Sequence, residues 1–120
     1  DQRIRNEIAA SAYMPEIRTS DGLCVLRILS PADRADSLEW YEIRFAPGGA
    51  LVSAPHARGM REHLTVLEGE VTVVSGGERE RVATGATARY PADVRHEIVN
   101  ETMGSARALL VVVASGRHPV

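Results

Sequence analysis

Lysine is missing from the chain. All 14 positively charged side chains are arginine, which excludes Schiff-base and lysine-base chemistry. Cysteine is nearly as scarce: the single Cys24 rules out an intrachain disulfide and any cysteine-rich zinc module, and its setting in Leu23-Cys24-Val25-Leu26 reads as a buried structural thiol. No run approaches the roughly 18 consecutive apolar residues of a membrane span. The polar start Asp1-Gln2-Arg3 is not a secretory signal either, so a soluble, cytoplasmic chain with no membrane partner is expected. Positive charge is not in excess. With a net charge of -2 and a pI near 6.1, no basic field exists to hold a phosphate backbone, and the chain by itself is not expected to bind DNA. Aromatic residues make up only 4%, which leaves Trp40, Tyr41 and Phe45 as the expected anchors of the core.

What is present fits one domain. A length of 120 residues leaves no room for a second folded unit, yet suffices to bury a core without disulfides. Ile4, Ile8 and Ala12 recur at intervals of four, which predicts a short N-terminal helix ended near Pro15. Residues 1–20 are accordingly read as a linker or short helix, 21–114 as a β-domain and 115–120 as a frayed tail. The polar start without an initiator Met is what a piece of a longer chain would show, and processing would leave the same trace.

From Asp21 onward, short β-type runs alternate with Gly- and Pro-containing turns, the pattern of an all-β antiparallel sandwich or barrel. The run Leu64 to Val74 predicts a hairpin turning at Glu68-Gly69, pairing Val66 with Val71 and Leu64 with Val73 and placing Glu62 on the same face. Ala108 to Val113 is apolar on both faces and predicts a strand covered on both sides, one side by a second subunit in one arrangement.

Three ionisable residues stand where strands begin: His56, Glu62 and His96. Because alternate side chains of a strand share a face, Glu62 goes with Leu64 and Val66, and His96 with Ile98 and Asn100. Two imidazoles and one carboxylate could then meet at a barrel mouth. Such a set suits Fe(II), Mn(II), Ni(II) or Zn(II), with coordination positions left open. His63 points to the opposite face, His118 lies in the tail, and Asp93 is read as serving its own turn.

This spacing resembles the cupin superfamily, whose motifs are written G-x5-H-x-H-x3,4-E-x6-G and G-x5-P-x-G-x2-H-x3-N. His56, Glu62 and Gly69 match the first; Gly85, Pro91, His96 and Asn100 match the second. Arg58 stands where the second histidine would be, Gly49 is one residue too far from His56, and Asp93 replaces the inner glycine. The resemblance covers roughly residues 38–114 and implies a double-stranded β-helix of the jelly-roll kind. The run Pro55 to Gly69, with Tyr90 to His96 and Ala106 to Val112, looks like the C-terminal cupin of bacterial XRE-type transcription regulators. In those, an upstream helix-turn-helix binds the operator and the cupin is taken to sense a small molecule.

The resemblance thus implies a small-molecule-sensing domain, forming a homodimer, that reaches DNA only through a helix-turn-helix outside this sequence. His56, Glu62 and His96 would be metal ligands, and Arg58 and Asn100 would contact the effector. Arg58 cannot sit beside a bare divalent cation: at about 4 Å and an effective dielectric of about 20, repulsion is on the order of 8 kcal/mol. Three arrangements remain open: Arg58 turns to solvent beside a three-ligand metal site, an anionic effector lies between Arg58 and the metal, or no metal binds and Arg58 pairs with Glu62. A carboxylate-bearing effector would suit the guanidinium. The alternative function is a small metal-dependent enzyme, a dioxygenase or isomerase, and a metal-free binding module is the third.

Overall fold

Alternation of apolar and polar side chains along ten strands builds two facing sheets, in a computed structural model that describes residues 6–32 and 38–114. The strands are β1 (Glu16–Arg18), β2 (Cys24–Ile28), β3 (Leu38–Phe45), β4 (Ala50–Ser53), β5 (Met60–Glu68), β6 (Glu70–Ser75), β7 (Glu78–Ala83), β8 (Thr87–Pro91), β9 (His96–Val99) and β10 (Ala106–Ala114). One sheet has the order β1-β2-β3-β10-β5-β8 and the other β4-β9-β6-β7, every pair antiparallel. The all-β jelly roll is as expected, although the hydrogen-bond ladders form two sheets rather than one closed barrel.

The core lies between the sheets. Ile43 and Phe45 of β3, Leu64 and Val66 of β5, Ala108 and Leu110 of β10 meet Val71, Val73 and Ile98 from the opposing sheet, all buried. Each fully buried Leu, Ile, Val or Phe contributes about 1.5–3 kcal/mol relative to exposure. Val112 pairs with Glu39 on one side and Glu62 on the other, so both carboxylates belong to the inward face, one row beyond Leu110.

Three expectations need correction. Glu68-Gly69 is not a hairpin: β5 pairs with β10 and β8, while β6 pairs with β7 and β9. The chain crosses between sheets at Gly69, so Leu64 and Val73 face one another through the core instead of along a ladder. The tight two-residue hairpin is Gly76-Gly77, where Ser75 pairs with Glu78 and both glycines have positive φ, 57° and 87°. Trp40 is not a core anchor. Glu39, Tyr41, Ile43 and Phe45 take the inward face of β3, so period-two alternation puts Trp40 opposite Val111 on the outer face.

The N-terminal helix is replaced by one 3-10 turn, Ser11–Tyr13, followed by β1 pairing on β2. Ile8 is 94% exposed: the stripe meets no surface to bury it, and a short helix without packing is marginal in water. Ile4 and the tail with His118 lie outside the described residues. As expected of a strand apolar on both faces, β10 is central, between β3 and β5; within this one chain its inner side is fully buried and Leu109, Val111 and Val113 on the outer side are half-buried. Among the described residues no helix is long and apolar enough to cross a membrane.

Cys24 is fully buried, and burial first, then the charge of Asp21, pushes its thiol up to about 11. The thiolate fraction at pH 8 is then on the order of a thousandth, and thiolate is the reactive form. Native protein is expected to resist thiol-specific labelling and to take up one equivalent on unfolding in denaturant; rapid labelling of folded protein would contradict this placement.

Candidate functional site

Three elements bring the expected metal-ligating residues together. Glu62 is the third residue of β5, its side chain turned inward by the same alternation that buries Leu64 and Val66. His96 opens β9 on the facing sheet. His56 lies on the loop before β5, pinned by its own amide donating to the Ala92 carbonyl at 2.8 Å. That loop is tied again by Asp93, whose carboxylate accepts the Gly59 amide at 2.9 Å, so Asp93 serves the His56 loop and not merely its own turn.

Both imidazoles converge on one oxygen. Nε2 of His56 lies 3.2 Å and Nε2 of His96 lies 3.0 Å from Oε2 of Glu62, and the three ligand atoms fall within 4.8 Å of one another. The rings meet edge to face with centroids 4.9 Å apart. Glu62 and His96 are 3% and 2% exposed, whereas the His56 side chain is 38% exposed, so the cluster opens on the His56 side.

The donor set fits a metal ion. Nδ1 of His96 is 2.8 Å from the Val94 carbonyl oxygen, which can only accept, so Nδ1 carries the hydrogen. A neutral His96 then turns its Nε2 lone pair toward Oε2, itself an acceptor. Two facing acceptors at hydrogen-bond distance need something between them, either a proton on a ring or on the carboxyl, or a metal ion shared by all three. Two histidines and a carboxylate with open positions suit Fe(II), Mn(II), Ni(II) or Zn(II), and the Val94 contact is the kind of outer support that orients a ligating ring.

Tyr90 was assigned no role at the site by sequence reasoning. It pairs directly with Glu62 across β5 and β8, and its hydroxyl donates to Oε1 at 2.6 Å, leaving Oε2 for the histidines. Burial, then the Glu62 charge and the bond to it, hold the phenol well above its ordinary range, so it stays a donor. Tyr90→Phe is expected to weaken metal binding by about 10–100-fold while the protein still folds. Titration against a fluorescent chelator checks this, and an unchanged affinity would remove Tyr90 from the account.

The other two expected residues stand apart. Arg58 is exposed on the loop, and among the described residues Glu62 bonds only with His56, His96 and Tyr90. Of the three arrangements, the pairing of Arg58 with Glu62 is therefore not seen among the described residues. Asn100 is fully buried, donating to the Phe45 and Gly104 carbonyls and accepting from the Thr102 amide and hydroxyl. Its side-chain bonds tie the end of β3 to the turn before β10.

Beside the triad a cavity of about 330 Å³ opens, lined by Leu51, Met60, Leu110 and Val112 together with His56 and Glu62. A larger hollow of about 610 Å³ lies elsewhere, against Tyr13 and Trp40, and contains no histidine. The smaller one holds the chemistry.

Comparison with known proteins agrees with this fold. Residues 41–113 match the family model described as Cupin domain. The HTH-type transcriptional regulator SutR of Escherichia coli (strain K12) is 33% identical over 72 residues, which are 60% of this chain and 40% of SutR. Among solved structures, an HTH_3 family transcriptional regulator from Vibrio cholerae has a TM-score of 0.71 at 28% identity, covering 81% of this chain and 53% of that one. Fe(II)-HppE with alternative substrate (S)-1-HPP also has a TM-score of 0.71, at 25% identity, covering 90% and 60%. The chain thus spans about half or less of the length of the two regulators. With the jelly roll in place and the family model matched over more than half its length, this chain belongs to the cupin family and is related both to regulator cupin domains and to metal-dependent cupins.

Proposed function

We propose that this chain is the small-molecule-sensing module of a cytoplasmic transcription regulator, holding a divalent metal through His56, Glu62 and His96. A helix-turn-helix outside this sequence would contact the operator. The observation that carries this reading is the triad itself, open on one side to a small, mainly apolar cavity, together with the likeness to two regulators. A bound metal would supply a Lewis-acidic anchor for one end of an effector. The cavity walls come from both sheets, so a filled cavity and an empty one favour different spacings between them. In a two-fold dimer that difference would reach the DNA-binding heads.

The likeness to Fe(II)-HppE favours a second reading, a metal-dependent enzyme such as a dioxygenase or isomerase. Against it, among the described residues the only acid or base groups beyond the ligands that line the cavity are Glu39 and the Tyr41 hydroxyl bonded to it, at the far wall. One experiment separates the two: DNA binding by the full-length gene product, metal-loaded and chelator-treated, on the DNA upstream of its own gene. The sensing reading expects specific binding whose affinity shifts about 5-fold or more with metal. A gene product that ignores that DNA and consumes oxygen or isomerises a substrate would establish the enzyme instead.

A further inference from the structure

The cavity beside the triad has an acidic far wall. Glu39 and Glu62 flank Val112 in one inward-facing row, and two strand spacings of about 4.8 Å separate their backbones by roughly 10 Å. Between them the floor is Leu110 and Val112. Glu39 is held in place: the Tyr41 hydroxyl donates to its Oε1 at 2.9 Å. Burial first, then the bond to Glu39 and its charge, push the Tyr41 phenol up to about 12, so it remains a donor across the neutral range. That bond fixes one carboxylate oxygen and leaves the other for a ligand.

No arginine lines this cavity. On the outer surface some carboxylates are matched, Glu42 by Arg27, Arg44 and Arg107 and Glu101 by Arg79. Among the described residues Glu39 has no such ion pair. Among the described residues lining the cavity, an anion would meet the Glu39 carboxylate and no guanidinium, which disfavours a negative charge at that wall. A cation would complete an ion pair in a partly desolvated site, where such pairs are strongest.

Resting on the reading of the triad as a metal-bound sensing centre, we propose that the effector is a compact amine, its ammonium group on Glu39, its apolar body over Leu110 and Val112, and its other end at the triad. The cavity volume of about 330 Å³ sits at the small end of ligand sites, which run from roughly 300 to 1,000 Å³.

The test is calorimetric titration of the metal-loaded chain with n-pentylamine, n-pentanol and pentanoate, on wild type, Glu39→Gln and Glu39→Asp. Pentylamine is expected to bind tightest. Glu39→Gln should lower its affinity about 10-fold or more, leaving metal content and pentanol binding unchanged, while Glu39→Asp, which keeps the charge, retains the preference for the amine. Stronger binding of pentanoate, an amine affinity indifferent to Glu39→Gln, or no binding of any probe would overturn the proposal. Metal content is measured on the same samples: a wild type without metal that still prefers the amine through Glu39 would uphold the charge assignment while overturning the metal centre.

Discussion

Glu62→Gln is expected to abolish metal binding while leaving the fold intact. The carboxylate is the hub of the triad, since both Nε2 atoms point at its Oε2 and Tyr90 holds its Oε1. An amide keeps the shape but loses the charge, and its oxygen can still accept from Tyr90. That orientation turns the NH2 group toward the histidines, where two N–H donors meet two ring lone pairs. The variant would therefore satisfy by hydrogen bonds what a metal ion would satisfy in the native cluster. Metal affinity should fall by more than the roughly 100-fold upper range for outer supporting groups. Wild type should gain on the order of 2.7 kcal/mol when free metal exceeds its Kd about 100-fold, a rise in Tm of about 10 °C for a domain of this size, and Glu62→Gln should gain nothing. Equal thermal shifts in the two proteins, read by calorimetry, would show that the metal sits elsewhere.

Gly69→Val is expected to produce the largest loss of stability of any single change outside the core. At Gly69 the chain leaves one sheet for the other with φ +78°, and an added Cβ would lie 2.5 Å from the Ser105 carbonyl oxygen and 3.0 Å from Ala106 Cα. Both obstacles are backbone, which cannot swing aside. The left-handed conformation costs a branched residue about 1–2 kcal/mol, and overpacking a further 1–3 kcal/mol. A loss of roughly 2–5 kcal/mol should appear in urea unfolding as a lower midpoint with an unchanged slope. A midpoint within error of wild type would mean that the crossing between β5 and β6 is not built this way.

How much of this was legible in the residues depended on what each inference needed. Strand positions and the faces of Glu62 and His96 followed from alternation, which is local: Glu62, Leu64 and Val66 are all buried on one side of β5, as are His96 and Ile98 on β9. Which strand lies beside which is not local. The Glu68-Gly69 turn has the chemistry of a hairpin, and only the pairing of β5 with β10 shows that the chain changes sheets there. Tyr90 was invisible for the same reason, because its contact with Glu62 exists only through the β5–β8 register.

Other misreadings came from composition overriding geometry. Trp40 looked like core because large aromatics usually are, yet its neighbours Glu39 and Tyr41 already occupy the inward positions of β3. That placement also puts a carboxylate in the cavity, which no hydropathy pattern would assign there. Arg58 shows the opposite case: electrostatics alone barred it from a bare metal, and the structure has it exposed.

The central claim is that His56, Glu62 and His96 form one metal centre. It is tested most directly by crystals of protein purified without chelator, with diffraction recorded at the absorption edge of whichever metal elemental analysis finds. The account predicts a single anomalous peak about 2.0–2.2 Å from Nε2 of His56, Oε2 of Glu62 and Nε2 of His96. A fully loaded protein whose peak lies anywhere else, or a protein that takes up no divalent metal and leaves the three side chains bonded only to one another, would contradict it.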